Sequence, residues 1–380
     1  MLDVHHCDRI SQVPADHWAA LMPDRYPFLQ YAYLRALEHS GAVSTATGWE
    51  PHHLVLSRSN QVMAIVPCYL KHHSRGEYVF DWSWAQAAES LALPYYPKLL
   101  AAIPFTPCPG PRWLAAESVK PEEIIAALDR ETERLQLSSW HLLFSNADGL
   151  CLDPDGRALP LLAREDCQFH WHNRNFADFD AFLQQLRSDK RKNLRKERRR
   201  IEAQGVRISR IRGDNLCQAD LDVFYRFYRQ TYLCRGQTPY LNKSFFDDLA
   251  AHMADQLLMV CAYQDQRPCG AALFLFDDTT LYGRWWGGDP QINGLHFEVC
   301  YYQGIEFAIE QRLARFDPGT QGEHKLIRGF EPMITRSLHR VYDTRLAQPL
   351  QRWTAEERRH VAAYRDAAIA ALPFAAQQKP

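Results

Sequence analysis

The sequence predicts a mixed α/β fold of the α+β kind, divided into two domains. At 380 residues the chain exceeds the roughly 100–200 residues of an average single domain. Short apolar strand patterns alternate with helical patterns, and one hairpin pattern occurs in each half. We therefore predict domains at 1–165 and 166–380, each a mixed twisted sheet flanked by helices.

In the first half, apolar spacing predicts helices at residues 16–21, 29–39 and 121–135. Apolar and β-branched runs predict strands at 53–56, 62–66, 98–105 and 140–144, with a turn at 57–61 between the first two. Residues 78–80 predict a further strand that runs into Trp82 and Trp84. The first half thus combines a hairpin, a strand ending in a tryptophan pair and a later helix.

The second half repeats this order of elements. Strands are predicted at 257–263 and 270–276 around a turn at 264–268, and the next strand ends in Trp285 and Trp286. We interpret the repetition as a weak internal duplication, because the same order of elements also occurs by chance in unrelated folds.

Composition excludes several classes of protein. Hydrophobic residues make up 46% and charged residues 23% of the chain, which is typical of a globular protein, and the net charge of −1 gives no global attraction to nucleic acid or membrane. The N-terminus lacks a signal-peptide pattern and no apolar run approaches the ~18–20 residues of a membrane span, so we expect a cytoplasmic protein. Ten cysteines without a Cys-x-x-Cys pair predict reduced thiols and no metal site.

The strongest local charge signal lies at residues 190–200, where eight of eleven residues are Lys or Arg. Such a helix could hold the phosphates of a donor, with Lys190, Arg191 and Arg195 as the candidate ligands. The alternative is a solvated helix paired with nearby carboxylates. One apolar stripe is predicted to pack on the protein, formed by Leu183, Leu186, Leu194 and Ile201.

Residues 282–288 place large aromatic side chains and Arg284 between glycines at a strand end, where a ligand can approach the backbone. Core packing alone could explain Trp285 and Trp286. An arginine beside them is hard to bury without an anionic partner, which favours a binding site.

The helix predicted at 295–306 mixes polar and aromatic residues around its circumference, unlike a purely solvated helix. Glu298 and Tyr302 are four residues apart and are expected to share a face. A structural hydrogen bond is the alternative to a catalytic role for this pair.

The loop at 316–330 is the segment where we expect the chemistry. It contains Glu323, His324, Lys325 and Arg328 among three glycines, and polar residues between glycines rarely serve a core. Histidine exchanges protons near neutral pH, and a neighbouring glutamate can raise its basicity. Lys325 and Arg328 could bind a carboxylate or phosphate, or pair with acidic residues.

Several strings in this chain resemble those of the FemAB-like predicted N-acyltransferases of bacteria. They are GEYVFDWSW at 76–84, YYPKLL at 95–100, QFHW at 168–171, KRKN through ERR at 190–199, LHFE through YYQ at 295–303 and QGEHK at 321–325. The resemblance extends from about Phe28 to the C-terminal region. It implies two tandem acetyltransferase-like (GNAT-like) domains and kinship with the Fem enzymes, which transfer amino acids from aminoacyl-tRNA to peptidoglycan precursors.

The resemblance leaves the donor open. Acetyltransferases cradle the coenzyme A pyrophosphate with backbone amides of a Gln/Arg-x-x-Gly-x-Gly/Ala loop at a helix start. Residues 106–112 offer one glycine among three prolines, which lack amide hydrogens, and residues 287–290 contain Asp289. We therefore expect either aminoacyl-tRNA or acyl-CoA as co-substrate, and no permanently bound cofactor.

The resulting hypothesis is an N-acyltransferase in which an acceptor amine, on a small molecule or a peptide, attacks the activated acyl or aminoacyl ester directly. His324 or Glu323 is the predicted general base, with Glu298 in reserve. Tyr302, Arg284 or backbone amides are predicted to stabilise the developing negative charge.

The other predicted roles concern binding. Donor ligands on the basic helix are joined by Lys325 and Arg328, and possible partners include tRNA. An acceptor pocket between the domains is predicted to be shaped by Asp81, Trp82, Trp84, Trp285 and Trp286. The competing hypothesis is a non-catalytic module that binds a cell-wall fragment or RNA.

Overall fold

In the computed structural model, which describes residues 2–146, 160–320 and 322–375, mixed sheets and helices form two units. The first contains the chain up to residue 166 together with 334–363, and the second contains 167–333 and the chain from 364 onward. The first boundary lies next to the expected cut at 165. A single boundary at 165 does not account for residues 334–363, which belong to the first unit. They do so because the strand Glu331–Val341 pairs from Leu338 to Val341 with the strand Ser139–Leu142.

The first unit contains the predicted helices and hairpin, but one predicted strand is shorter than expected, and residues 82–90 form a helix where an aromatic strand was expected. Its helices are Ala15–Leu21, Tyr31–His39, Trp82–Ser90 and Pro121–Arg134, and the helix Thr344–Ala370 begins in it. Its strands are Asp3–Cys7, Trp49–Pro51, His53–Arg58, Gln61–Val66, Cys68–Lys71, Lys98–Ala101, Leu114–Ala115 and Ser139–Leu142. The strand predicted at 98–105 ends at Ala101, since Pro104 cannot donate to a ladder and Phe105 has φ +56°.

Two sheets organise the first unit. One is antiparallel, in the order Asp3–Cys7, His53–Arg58, Gln61–Val66, Leu114–Ala115. In the other, Lys98–Ala101 pairs antiparallel with Cys68–Lys71 and parallel with Ser139–Leu142. Apolar side chains of these strands and of the helix Pro121–Arg134 share one buried cluster.

The tryptophan pair of the first half lies on a helix, so the aromatic strand predicted there is wrong. The chain bends at Tyr78, which has φ +63°, and the helix Trp82–Ser90 starts directly after Asp81. Alanines at three of its nine positions favour the helix. In the second half, Trp285 and Trp286 do lie on a strand, Thr280–Gly288, so the internal repetition does not include this element.

The second unit contains the basic helix and the loop expected to carry the chemistry. Its helices are Phe179–Gln184, Ser188–Ala203, Gln218–Leu233 and Lys243–His252, followed by the consecutive segments Leu295–Phe297, Glu298–Tyr302 and Gln303–Glu310. Its strands are Val206–Arg212, Leu257–Gln264, Arg267–Phe276, Thr280–Gly288 and Arg315–Asp317. The strands Leu162–His172 and Glu331–Val341 contain boundaries between the units.

The four strands from Val206–Arg212 to Thr280–Gly288 pair antiparallel in chain order. This order confirms the predicted hairpin at 257–276. Arg315–Asp317 then pairs parallel to Thr280–Gly288 and antiparallel to the end of Leu162–His172. Gly287 lets the helix Gln218–Leu233 approach this sheet, because a Cβ there would lie 2.1 Å from the carbonyl oxygen of Phe227.

The basic helix is Ser188–Ala203, and it ends before Gly205, whose φ of +71° suits a helix stop. All four residues of the predicted apolar stripe are buried. Leu183 and Leu186 precede the basic helix, however, because the helix Phe179–Gln184 ends before the basic helix begins at Ser188. Among the residues that the structure describes, no helix has both the length and the apolar composition needed to cross a bilayer.

Candidate functional site

His324 is held by a tyrosine that the sequence analysis did not single out. It lies in the 3-10 turn Glu323–Arg328, which follows Gly322 with φ +109°, and its Nε2 atom is 2.8 Å from the hydroxyl of Tyr301. Burial lowers the pKa of His324, and the cations Arg328 and Lys325 add to that effect. Burial raises the pKa of Tyr301. At neutral pH the pair is therefore an imidazole without charge and a phenol that keeps its proton.

The other two candidate bases are bound to other side chains. Glu323 is exposed, and its carboxylate accepts a hydrogen bond from the hydroxyl of Tyr364 at 2.9 Å. Glu298 is buried and accepts hydrogen bonds from Arg198 and from Gln303. Both carboxylates therefore already have cationic or neutral donors, whereas His324 faces Tyr301.

Glu298 and Tyr302 do not form the pair expected from their spacing. The segment Glu298–Tyr302 is a π-helical turn in which the amide of Gln303 donates to the carbonyl of Glu298, five residues earlier. The wider turn takes residues four apart out of alignment, and such turns are frequent at functional sites. Each side chain instead contacts the basic helix, Glu298 through Arg198 and Tyr302 through Glu197.

Arg328 joins these contacts into one network. Its guanidinium donates to both carboxylate oxygens of Glu197, at 2.9 and 2.8 Å, to the hydroxyl of Tyr302 at 2.9 Å and to the carbonyl of His324 at 2.7 Å. It also lies 3.5 Å from the ring centre of Phe297. Arg328 thus pairs with a carboxylate, which the sequence analysis gave as the alternative to donor binding, and it holds the turn that carries His324.

A cavity of about 60 Å³ lies beside Tyr301. Its walls include Arg284, Trp286, His296 and Cys300. The ring of His296 lies 4.7 Å from Trp286 and 5.1 Å from Tyr301, centre to centre. Burial lowers the pKa of His296 to about 3, and His324, Lys325 and Arg328 reinforce the shift, so its ring is neutral.

Lys325 is a buried cation near this cavity. Its ammonium donates to the carbonyl oxygen of Gly319, and the nearest opposite charge is Asp317. Burial lowers its pKa to about 8, with Arg284 adding to the shift and Asp317 opposing it. Lys325 therefore keeps its charge at neutral pH and raises the positive potential around Arg284.

The predicted donor ligands on the basic helix differ in how they are paired. Lys190 lies 3.5 Å from Asp189, and Arg195 donates to Asp180 at 2.8 Å. Arg191 has no ion pair among the residues the structure describes, and the same holds for Lys192, Lys196 and Arg200. The helix thus keeps several cations that carboxylates do not neutralise.

In the first unit, Asp81 belongs to a buried charge cluster around Lys98. The Lys98 ammonium donates to Asp81, to Glu77 at 2.8 Å and to Ser74 at 3.1 Å, while the Tyr95 hydroxyl donates to Asp81 at 2.6 Å. Burial opposes ionisation of Asp81, but Lys98 outweighs it and lowers the pKa to about 2. Burial raises the pKa of Glu77 to about 7. Asp81 is consequently the ionised partner of Lys98.

The tryptophans predicted to bind the acceptor lie in both units. Trp82 is 50% exposed and stacks near Phe80, whereas Trp84 is 1% exposed and packs against His339 with ring centres 5.0 Å apart. Trp285 packs on phenylalanines of the helix Lys243–His252. Trp82 and Trp286 are therefore the members of the set that ligands can reach most readily.

One group of possible metal ligands occurs among the described residues. It consists of His6, His52 and Glu131, with ligand atoms within 4.8 Å of one another. The carboxylate of Glu131 already binds His52 at 2.5 Å and Arg134 at 2.8 and 2.6 Å. A cation would have to displace Arg134, and the expectation of no metal stays a prediction.

Buried neutral histidines are expected to make the protein sensitive to acid. Burial lowers the pKa of His141 to about 3, of His170 to about 4 and of His296 to about 3. Between these values and 6.5 the unfolded chain binds more protons, so the free energy of unfolding falls as pH falls. Glu77 has the opposite effect, because its raised pKa makes the folded chain bind one more proton than the unfolded chain at this group.

Urea unfolding followed by tryptophan fluorescence between pH 7 and pH 4 checks this prediction. His141→Gln should reduce the pH slope by up to about 1.4 kcal/mol per pH unit, the value for one proton. His17→Gln, at an exposed site, is the control for removing a histidine. An unchanged slope in His141→Gln would contradict the prediction.

The sequence analysis missed four residues of these sites. Tyr301, His296, Glu197 and Lys98 each lie inside a string that was quoted for the family resemblance. Their position inside these strings was the one sign in the sequence that could have identified them. Their roles depend on contacts with residues distant in sequence, such as the contact of Tyr301 with His324, which no local pattern predicts.

Comparisons with known proteins agree with this architecture. The family model for FemAB-like proteins, described as peptidoglycan biosynthesis/recognition, matches residues 9–376. FemX is similar in structure, with 11% identity and a TM-score of 0.50 over 92% of this chain and 99% of that chain. L-PGS from Bacillus licheniformis has 10% identity and a TM-score of 0.50 over 87% of this chain and 97% of its own.

A tandem GNAT protein from the clavulanic acid biosynthesis pathway has 9% identity and a TM-score of 0.45 over 90% of this chain and 98% of its own. No curated protein sequence matches the chain. The predicted mixed α/β class is confirmed. Since the family model covers most of the chain, the conclusion is that this protein belongs to the FemAB-like family of peptidoglycan biosynthesis and recognition.

Proposed function

We propose that this protein is an N-acyltransferase that moves an acyl or aminoacyl group from an activated donor to an amine. The observation that carries the proposal is the His324–Tyr301 pair beside a cavity that contains Arg284. The family description supports an amine on a peptide of a peptidoglycan precursor as the acceptor. The donor is acyl-CoA or aminoacyl-tRNA.

In the proposed reaction the amine nitrogen attacks the carbonyl carbon of the donor and forms the new C–N bond. Tyr301 accepts a proton from the nitrogen while it passes its own proton to Nε2 of His324, which is 2.8 Å away. The carbonyl π electrons move to oxygen, and Arg284 stabilises that oxyanion. The carbonyl then re-forms, and the thiol of coenzyme A or the ribose hydroxyl of tRNA leaves with a proton returned from His324.

The experiment that tests the function combines native mass spectrometry with a transfer assay. The full chain is incubated with acetyl-CoA, or with charged tRNA, and with a lysine-containing stem peptide as acceptor. Binding of one donor and a peptide mass increase by the matching acyl group are expected. Donor binding without any acylated peptide would contradict transfer and favour the binding module.

RNA binding is supported by the cations of the basic helix that lack ion pairs, and it has its own expected result. If tRNA binds there, the triple variant Arg191→Gln, Lys192→Gln, Lys196→Gln should make the slope of log affinity against log salt concentration shallower by about two to three. Each lost phosphate contact releases roughly one fewer counterion. Fluorescence anisotropy with labelled tRNA at several salt concentrations measures the slope.

The control for charge removal is Arg226→Gln, Arg229→Gln, Arg235→Gln. These arginines are exposed in the same unit, on and just after the helix Gln218–Leu233. An equal loss in both triple variants, or binding that does not depend on salt, would argue against donor recognition by the basic helix.

A further inference from the structure

The cavity beside Tyr301 has a size and a charge that restrict what can occupy it. Its volume is about 60 Å³. A water-sized position needs about 10–15 Å³ of such volume, so the cavity has room for about four to six of them. That volume corresponds to a short acyl group.

Aromatic rings belong to half of the residues that line the cavity. Phe274, Trp285, Trp286 and Tyr301 line it together with the ring of His296. Gly283 also lines it, and a Cβ at this position would lie 3.3 Å from the rings of Phe274 and Phe316. Apolar walls of this kind favour groups that carry no charge, because a buried charge without a partner is costly.

The charge that the described part of the wall carries is positive. Of the lining residues that the structure describes, Arg284 is a cation and none is Asp or Glu. Lys325 adds a second positive charge nearby, and Asp317 is the carboxylate that opposes it. An α-ammonium group in the cavity would therefore meet the like charges of Arg284 and Lys325.

We propose that this cavity is the acyl pocket of the transferase, that Arg284 excludes acyl groups carrying an ammonium, and that Trp286 packed on His296 limits their length. The inference rests on the proposed function and deepens it. Small uncharged groups, of the acetyl and propionyl class, fit the cavity. Glycyl and alanyl groups have a suitable size, but their α-ammonium does not fit its charge.

Two amides of equal size test the charge filter without requiring turnover. Propionamide and glycinamide have the same number of non-hydrogen atoms and differ in a methyl or an ammonium group. By saturation-transfer NMR on the full chain near pH 6.5, glycinamide should bind at least about tenfold more weakly than propionamide. Equal binding of the two, or no binding of either, overturns the inference.

Variants then test whether Arg284 sets the charge preference and Trp286 sets the length limit. Arg284→Gln should reduce the preference for propionamide to less than about threefold. Arg267→Gln, an exposed arginine on the strand Arg267–Phe276, should leave it unchanged. Trp286→Ala should bind hexanamide, which the natural protein should not bind at the same concentration. A preference that survives in Arg284→Gln, or failure of Trp286→Ala to accept hexanamide, contradicts the assignment.

The outcomes separate this inference from the proposed function. The comparison of propionamide with glycinamide uses the natural protein, so it still tests the inference if Arg284→Gln does not fold. Selective binding of propionamide without transfer from any donor contradicts the function alone. Transfer of glycyl groups from glycyl-tRNA faster than acetyl groups from acetyl-CoA supports the function and overturns the pocket assignment.

Discussion

The variant His324→Gln is expected to lose about 10²–10⁴-fold in kcat, the usual contribution of a general base. Glutamine keeps a polar side chain next to Tyr301 but cannot take up the proton that this tyrosine passes on. His324 is only partly buried, so the melting temperature should change little. Steady-state transfer assays with the donor identified by mass spectrometry measure the effect.

The pH profile distinguishes a base from a structural residue. The reaction needs neutral His324, and burial lowers the pKa of this group below 6.5. When kcat/KM is calculated for the unprotonated fraction of the acceptor amine, it should therefore be flat around neutral pH and should fall as pH drops through the lowered pKa of His324. In His324→Gln this acid limb should disappear from the residual activity.

Matched substitutions complete the test of the base. Tyr301→Phe removes the hydroxyl 2.8 Å from His324 and should lower kcat comparably, whereas Glu323→Gln should cost less than about tenfold. His252→Gln, at an exposed position of the same unit, controls for losing a histidine. If Glu323→Gln lost more activity than His324→Gln, Glu323 would be the base.

Replacing Lys98 with methionine is expected to lower the free energy of unfolding of the first unit by about 3–5 kcal/mol. Removing one partner of a buried ion pair leaves the other charge in a medium of low polarity without compensation. Lys98 is fully buried, and its ammonium binds Asp81 as well as Glu77. Urea unfolding followed by tryptophan fluorescence measures the loss.

Neutralising the carboxylate that Lys98 ionises should restore part of that stability. In the double variant Lys98→Met, Asp81→Asn that negative charge is removed, while Glu77 stays 4.0 Å from the buried ammonium of Lys71, and at least half of the lost free energy should return. Lys120→Met, at an exposed lysine of the same unit, should stay within about 0.5 kcal/mol of the natural protein. A loss below about 1 kcal/mol in Lys98→Met would show that the cluster is solvated.

Local patterns predicted elements well where one face of a segment is buried. The hairpin at 257–276 and the basic helix follow from alternation of apolar residues and from the apolar stripe at Leu194 and Ile201. Trp82 was misassigned because a short aromatic segment satisfies both the strand and the helix pattern. The alanines of this segment and the bend at Tyr78 favour the helix Trp82–Ser90 over a strand.

The loop at 316–330 was predicted as the site from composition alone, and the structure brings His324 and Lys325 close to the cavity. It does not bring Glu323 there, since adjacent residues of a turn point in different directions. The roles of Arg328 and Glu197 were out of reach for sequence reasoning, because their bond joins residues 131 positions apart.

By itself, the sequence determined the mixed α/β class, the basic helix and the glycine-bounded segment that carries His324, because each depends on spacing between near neighbours. Only the tertiary structure decided which charges are committed to internal pairs and which groups face the cavity. Burial and distant partners set those properties: they make His324 neutral, tie Arg328 to Glu197 and join Asp81 to Lys98.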